Sequence, residues 1–229
     1  MTVPRHIAVT PDGNRRWAKE RGLDAAQGHE AGARAFVRFT ELCARAGVEY
    51  LTIHAFSTDN WKRDSAEVDH VLELLARTVV DHLPQLEDLG VQLRWAGRRD
   101  RVPPAVRDHL QLVEDRTRDN RRLVLTYCLD FGGRDAVAEA ITTALRATGE
   151  AAEATDTQAM LSRVEPSGLP DVDLYLRTSG EMRLSNNVLT LLAYAELFFV
   201  PTYWPDFGPV EFDDLLKEFE QRTRRFGGR

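Results

Sequence analysis

The stretch from His6 to Trp17 reads HIAVTPDGNRRW, and the rest of the chain repeats its logic. His6 to Val9 is a short, largely apolar run that stops just before Pro11, as a buried parallel strand would. A turn follows at once. Asp12, Gly13 and Asn14 tolerate tight backbone conformations, and Arg15 and Arg16 add two guanidinium groups ahead of Trp17. Further strand-like runs lie at Tyr50–Ala55, Val91–Trp95, Leu123–Cys128 and Leu174–Leu176. Helical patterns separate them. Gly32–Ala46 carries Ala33, Phe36, Val37, Leu42 and Cys43 at helical spacing. Asp64–His82 opens with Asp64 and Glu67 spaced as a capping box, followed by a stripe of Val68, Val71, Leu72, Leu75 and Val79. Ala105–Arg118, Arg134–Arg146 and Phe212–Phe226 read as helices too. This alternation predicts an α/β fold: a central, mostly parallel sheet flanked by helices. Ligands of such sheets bind beyond the carboxyl ends of the strands, which is where the turn at Asp12 falls.

The 229 residues suit one α/β domain, residues 1–229, with a real core. A formal net charge of −6 argues against a general nucleic-acid binder, though it leaves room for a locally basic pocket. Cys43 and Cys128 are the only cysteines and read as two buried thiols, neither a disulfide framework nor a zinc site. The opening MTVPRHIAVT lacks the apolar stretch of a signal peptide, and no run approaches the roughly 20 apolar residues that span a bilayer. A cytoplasmic protein is therefore expected. Ala147–Asp156, small-residue-rich and acidic, reads as a surface loop before a helix.

Three clusters carry chemistry. The first is the turn itself: a Gly-Asn backbone and two forked arginine donors suit phosphate oxygens. Asp12 would repel that phosphate unless a cation such as magnesium sat between them. Taken alone, the turn is equally a surface salt bridge on common turn chemistry. The second cluster, LRTSGEMRLSN from Leu176 to Asn186, places Arg177, Ser179, Gly180, Arg183 and Ser185 in one loop after a strand. Shortly after it, Glu196 stands alone in the apolar AYAELFF, where a carboxylate needs a salt-bridge partner or a metal. The third cluster, AFSTDNWKR from Ala55 to Arg63, supplies Ser57, Asn60, Trp61 and Arg63, and Gly28-His29 lies near the first turn in sequence. Two basic cradles and two isolated acids point to an enzyme that holds two phosphorylated ligands together. Neither GxxxxGK[ST] nor GxGxxG is present, which excludes the P-loop and Rossmann solutions.

In order along the chain, DGNRRWAKERG, GHEAGARAF, YLTIHAFSTDNWKR, FGGRD, LRTSGEMRLSN, AYAELFF, WPDF and RRFGG resemble the motifs of the cis-prenyltransferases of the undecaprenyl diphosphate synthase type. The resemblance implies that family's α/β fold, a homodimer, and Mg2+-dependent condensation of isopentenyl diphosphate with an allylic prenyl diphosphate to give a cis double bond. It implies catalytic roles for Asp12, Asn14, His29, Ser57 and Asn60. Gly13, Asn14, Arg15 and Arg16, with Trp17 beside them, fall on the loop for the allylic diphosphate. Trp61 and Arg63 fall on a segment that closes over substrate, and Arg177, Arg183 and Ser185 on the isopentenyl diphosphate cradle. Asp12 and Glu196 match the metal-binding acids. Arg225 and Gly227 match an element that reaches the neighbouring subunit's site. No nucleic acid is implied, and membrane contact is at most peripheral, through a lipid product.

Three departures stand out against the family pattern. Ala25 occupies the place of an arginine that holds the allylic diphosphate; Asn187, Thr190 and Leu191 stand where an aromatic and Trp-Gln are usual; and Pro11 replaces a methionine. They leave two alternatives open on the same fold: irregular, head-to-middle coupling of dimethylallyl-type diphosphates, and a catalytically silent subunit that binds prenyl diphosphates. Retention of Asp12, Arg16, Arg177, Arg183 and Glu196 favours an enzyme over the silent subunit. Phe36 and Phe39 lie on the helix expected to wall the product tunnel and to restrict chain growth.

Overall fold

The computed structural model describes residues 2–148, 161–164, 166 and 168–224. Six strands form one sheet: β1 (His6–Thr10), β2 (Tyr50–Ser57), β3 (Val91–Ala96), β4 (Leu123–Phe131), β5 (Leu174–Arg177) and β6 (Glu196–Phe199). Their order is β3-β4-β2-β1-β5-β6, and every neighbouring pair is parallel. The helices are α1 (Asn14–Glu20), α2 (Ala25–Ala46), α3 (Ser65–Asp81), α4 (Leu83–Asp88), α5 (Pro104–Thr117), α6 (Gly133–Thr148) and α7 (Pro209–Gln221). The chain leaves β1 toward β2 on one side and returns as β5 on the other. That arrangement opens a crevice above the carboxyl ends of β1 and β5, where the sheet's direction of growth reverses.

Local chemistry explains the element boundaries. Helix α2 starts seven residues before the Gly32 expected from periodicity, because Asp24 caps it: Gln27 N donates to Asp24 Oδ1 at 2.8 Å, and Asp24 N donates to Gln27 Oε1 at 3.1 Å. Helix α3 lacks the predicted capping box. Asp64 accepts from Ala66 N at 3.0 Å, while Glu67 turns away toward the crevice. The short α1 and α4 and the edge strand β6 escaped the reading of the sequence. β6 is only four residues, ELFF, and owes its form to pairing with β5 rather than to its own pattern. The stretch Ala147–Asp156 begins inside the end of α6, and its remainder lies outside the described residues.

The sheet is covered on both faces. One face packs Ile7, Val9, Leu51 and Ile53 against Phe36 and Phe39 of α2 and Val71 and Leu72 of α3; the other packs Ala8, Cys128 and Tyr175 against Ala136 and Val188. Both cysteines are buried and outside any disulfide, as expected. Phe39 meets Trp204, Phe207 and Phe212 at ring-centroid distances of 5.3, 5.7 and 5.6 Å, so it fixes α2 to the C-terminal elements instead of walling a tunnel. None of the described helices is long and apolar enough to cross a membrane.

Two buried imidazoles make this core acid-sensitive. His6 is held between Pro170 O and Thr52 Oγ1, each at 2.8 Å, and burial lowers His6 and His54 alike from 6.5 to about 4. Above 6.5 both are neutral whether the chain is folded or not. Between 6.5 and 4 the unfolded chain takes up protons first, so stability falls across that window by up to about 3 kcal/mol per histidine. Urea midpoints measured at pH 7.5, 5.5 and 4.5 are expected to decline in that order. Phe39→Ala is expected to remove about 3–5 kcal/mol in the same assay at pH 7.5.

Candidate active site

The loop after β1 is fixed by its backbone. Asp12 N donates to Thr178 Oγ1 at 2.8 Å, the Thr178 hydroxyl donates to Asp12 O at 2.7 Å, and Trp204 N reaches the same carbonyl at 3.0 Å. The next residue has to be glycine. Gly13 has φ 106°, and a Cβ there would lie 2.6 Å from Tyr203 Cδ1 and 2.9 Å from Ser179 Cβ. Asn14 opens α1 and packs onto α2 at Gly28 and Gly32, where a Cβ would fall 2.4 Å from Asn14 O and 2.6 Å from Asn14 Nδ2.

The loop after β5 grips the first loop directly. The buried Arg177 guanidinium donates to Asp12 Oδ2 at 2.8 Å and to Arg183 O at 2.8 Å, and it also reaches Ser185 Oγ. Arg16 bridges the same two loops, 3.3 Å from Asp12 Oδ1 and 2.9 Å from Glu181 Oε1; the other oxygen of Glu181 pairs with Arg183. Three non-glycine residues of this loop, Ser179, Ser185 and Asn186, hold φ of 76°, 48° and 59°. Such left-handed residues persist only where surrounding contacts enforce them, and they cluster at ligand sites.

The third segment follows β2 as a 3-10 turn, Thr58–Lys62, locked by its own side chains: Ser57 N donates to Asn60 Oδ1 at 3.0 Å, and Asp59 N donates to Ser57 Oγ at 3.1 Å. Facing it, Glu67 of α3 lies 3.6 Å from Arg15, 3.5 Å from Arg63 and 4.0 Å from His29 Nε2. Burial lowers the His29 pKa below its ordinary value, with Glu67 opposing the shift.

These three segments enclose a cavity of about 670 Å3. Five arginines (Arg15, Arg16, Arg63, Arg177 and Arg183) line it against two aspartates, Asp12 and Asp59, so a chain of net charge −6 carries a cationic mouth. Below the mouth the walls turn apolar, with Ala33, Phe36, Ile53, Val71, Leu75 and Tyr127. Among the described residues, several buried polar atoms of lining residues, Asn14 Oδ1, His29 Nδ1 and Arg177 Nε among them, have no hydrogen-bond partner. Buried polar atoms are nearly always satisfied, so these fit a site completed by a ligand.

Of the residues singled out from sequence, Asp12, Gly13, Asn14, Arg15, Arg16, His29, Ser57, Asn60, Arg63, Arg177, Arg183 and Ser185 come together around this one cavity. Trp17 does not: its indole donates to Asp206 Oδ1 at 2.6 Å, and Arg21 stacks on its outer face at 4.5 Å. The Trp61 indole points away from the cavity, to Asp130. Glu196 starts β6, at the end of the sheet opposite Asp12, and pairs with Arg222 at 3.1 Å; it takes the salt-bridge solution for a half-buried acid. Arg225 and Gly227 lie outside the described residues. Glu67 and Glu181 were missed. Glu67 was read as a cap, although it stands four residues after Arg63, the spacing of a helical ion pair. Glu181 was passed over although it is the lone acid in a basic loop.

Residues 10–227 match the sequence profile of the prenyltransferase family described as undecaprenyl diphosphate synthase. The chain is similar to an isoprenyl transferase of Heliobacterium mobile, 40% identical across 99% of this chain and 88% of the relative. It is also similar to the chloroplastic cis-prenyltransferase 4 of Solanum lycopersicum, 40% identical across 98% of this chain and 75% of that protein. Among solved structures it resembles lavandulyl diphosphate synthase from Lavandula x intermedia, crystallised with dimethylallyl diphosphate. The TM-score is 0.90 and the identity 29%, over 98% of each chain.

Gly13→Ala forces both an unfavourable φ and a steric overlap at the seam between the loops. It is expected to lower stability by about 1–3 kcal/mol and to weaken binding of inorganic pyrophosphate about tenfold or more, read by calorimetry.

Proposed function

The chain belongs to the undecaprenyl diphosphate synthase family of prenyltransferases, and from that premise we propose that its cavity joins an allylic prenyl diphosphate to isopentenyl diphosphate. One observation carries this reading: two arginine cradles meet across Asp12 over an apolar floor. The cradle of Arg15 and Arg16 takes the allylic diphosphate. Arg177, Arg183 and Ser185 take the diphosphate of the second substrate, and Asn14, Ser57, Asn60 and His29 line the same cavity. Ionisation breaks the allylic carbon–oxygen bond, and the electron pair leaves with the diphosphate, whose growing charge the guanidinium groups stabilise. The apolar walls keep water from the carbocation. The isopentenyl double bond attacks it, one carbon–carbon bond forms, and the proton lost from the product passes to an oxygen of the departed diphosphate.

Mg2+ belongs to the same proposal. Among the described residues no group of three or more His, Cys, Asp or Glu could hold a metal unaided. Asp12 fits the requirement of a hard cation that keeps one carboxylate and takes its remaining ligands from substrate phosphate and water. Bound there, the ion would neutralise charge on the leaving diphosphate. Within one protomer Glu196 is not placed to help, since it is engaged by Arg222. A homodimer is part of this reading, supported by the edge strand β6 with exposed Tyr194 and Leu197 beside Glu196. So is a cytoplasmic enzyme that meets membranes only through its product.

A second reading, head-to-middle coupling of two dimethylallyl-type diphosphates, is favoured by Ala25. It sits at the first turn of α2, where the first cradle lacks a third forked donor. The fold shared with a lavandulyl diphosphate synthase that binds dimethylallyl diphosphate points the same way.

Purified protein incubated with magnesium and each pair of five-, ten- and fifteen-carbon diphosphates, with products read by mass spectrometry, decides between the two. Condensation of an allylic donor with isopentenyl diphosphate is expected. Product from dimethylallyl diphosphate alone would select the second reading, and no product from any pair would leave a silent binding subunit. Phe36 meets Tyr127 at 5.3 Å across the cavity floor, so Phe36→Ala is expected to shift products to longer chains. Unchanged lengths would remove Phe36 as the stop.

A further inference from the structure

Behind the segment Ser57–Arg63, on the side away from the cavity, lies a buried carboxylate that the mechanism above leaves unused. Asp130, near the end of β4, is fully buried. Its Oδ1 accepts from the Trp61 indole N–H at 2.8 Å. Arg101 clasps it with two further bonds, from Nε to Oδ2 at 2.6 Å and from Nη2 to Oδ1 at 2.5 Å. The same guanidinium lies 5.1 Å over the Trp61 ring, which also meets Phe56 edge-on at 5.5 Å. Trp61 is thus held by a hydrogen bond, a cation and an aromatic edge at once. Asp130 keeps this position at φ 54°, a left-handed conformation uncommon in residues other than Gly, Asn and Asp. Its backbone is locked too: Arg98 N donates to Asp130 O at 3.1 Å, and a Cβ on Gly97 would fall 2.9 Å from that oxygen.

We propose that Asp130 is a positioning residue for prenyl transfer: through the Trp61 indole it sets the orientation of the 3-10 turn that carries Ser57, Asn60 and Arg63 into the cavity. The inference rests on the reading of the cavity given above. Trp61 is adjacent to Asn60, and the turn spans five residues, so a rotation of the indole is transmitted to Asn60 with little backbone to absorb it. The bonds from Ser57 N to Asn60 Oδ1 and from Asp59 N to Ser57 Oγ brace the turn from within, and Thr58 Oγ1 donating to Asp135 Oδ2 at 2.9 Å gives it a second anchor. Neither arginine of the opening loop bonds directly to Asp130, Arg101 or Trp61; Arg15 meets the turn through Glu67, which it shares with Arg63. The clamp therefore acts chiefly on orientation during the reaction rather than on capture of the first diphosphate.

A double-mutant cycle tests the assignment. Trp61→Phe keeps the ring and deletes the N–H; Asp130→Asn keeps the shape and deletes the charge that fixes Arg101. Each is expected to lower kcat about 10- to 100-fold, the equivalent of one hydrogen bond to a charged group, with KM for the allylic diphosphate within about threefold of wild type. The double variant is expected to lose no more than the worse single one, because both act through the same contact. Rates are normalised to folded protein by thermal melting. Trp61→Phe at the wild-type rate, or losses that multiply in the double variant, would overturn the proposal. The indole N–H signal that disappears in Trp61→Phe supplies a substrate-free measurement. Its hydrogen exchange is expected to be slow in the wild type and at least about tenfold faster in Asp130→Asn. Equal exchange in the two proteins also overturns the clamp. A wild type inactive on every substrate pair would refute the proposed function, and the clamp would then stand or fall on the exchange rate alone.

Discussion

A guanidinium buried between two loops needs a counter-charge, and Arg177 finds it in Asp12. The two residues lie 165 positions apart in the chain; the pairing of β1 with β5 brings them together, and their 2.8 Å contact locks the loops that follow those strands into one site. Arg177 is almost wholly buried while Asp12 keeps partial contact with solvent. Removing the acid would strand a charge, which costs far more than an exposed pair ever gains. The rest of the site is arranged around this seam. Thr178 ties the backbone across it, Gly13 allows the close approach, and Arg16 spans it on the outer side.

The cavity's charges are held in readiness by acids that stand in for the ligand. Glu181 separates Arg16 from Arg183, and Glu67 separates Arg15 from Arg63. Without them, five guanidinium groups around one cavity would repel each other. With them, each arginine is oriented before an anion arrives, and a diphosphate needs only to out-compete a carboxylate. The floor works by the opposite rule. Phe36, Ile53 and Val71 offer nothing polar, so water has little reason to stay.

Much of this was legible in the amino-acid order because the informative signals are local. Apolar runs gave five of the six strands, and clusters of Arg, Ser, Gly and Asn after strands gave both cradles. The signals that failed share a different origin. β6 is a strand because β5 lies beside it, which no four-residue pattern encodes. Asp64 and Glu67 have capping-box spacing, yet the carboxylate of Glu67 gains more from the arginines across the cavity than from its own helix. Trp61 and Trp17 looked like ligand contacts on their neighbours' account, and their indoles instead donate to acids of the protein, the buried Asp130 and the exposed Asp206. Glu196 looked isolated because Arg222, its partner, is 26 residues away in sequence and adjacent only after folding.

The strand order has a consequence for how the molecule comes into being. β1 emerges first during synthesis but belongs to the middle of the sheet, between β2 and β5. One flank can be covered as soon as β2 is made; the other stays open until Leu174–Arg177 leaves the ribosome. For most of translation the nascent chain therefore displays an unpaired apolar edge, the kind that sticks to other chains. Such high contact order slows folding, because long loops must close before the final pairing gives any return. The active site, assembled across the pairing of β1 with β5, cannot exist before β5 has been made.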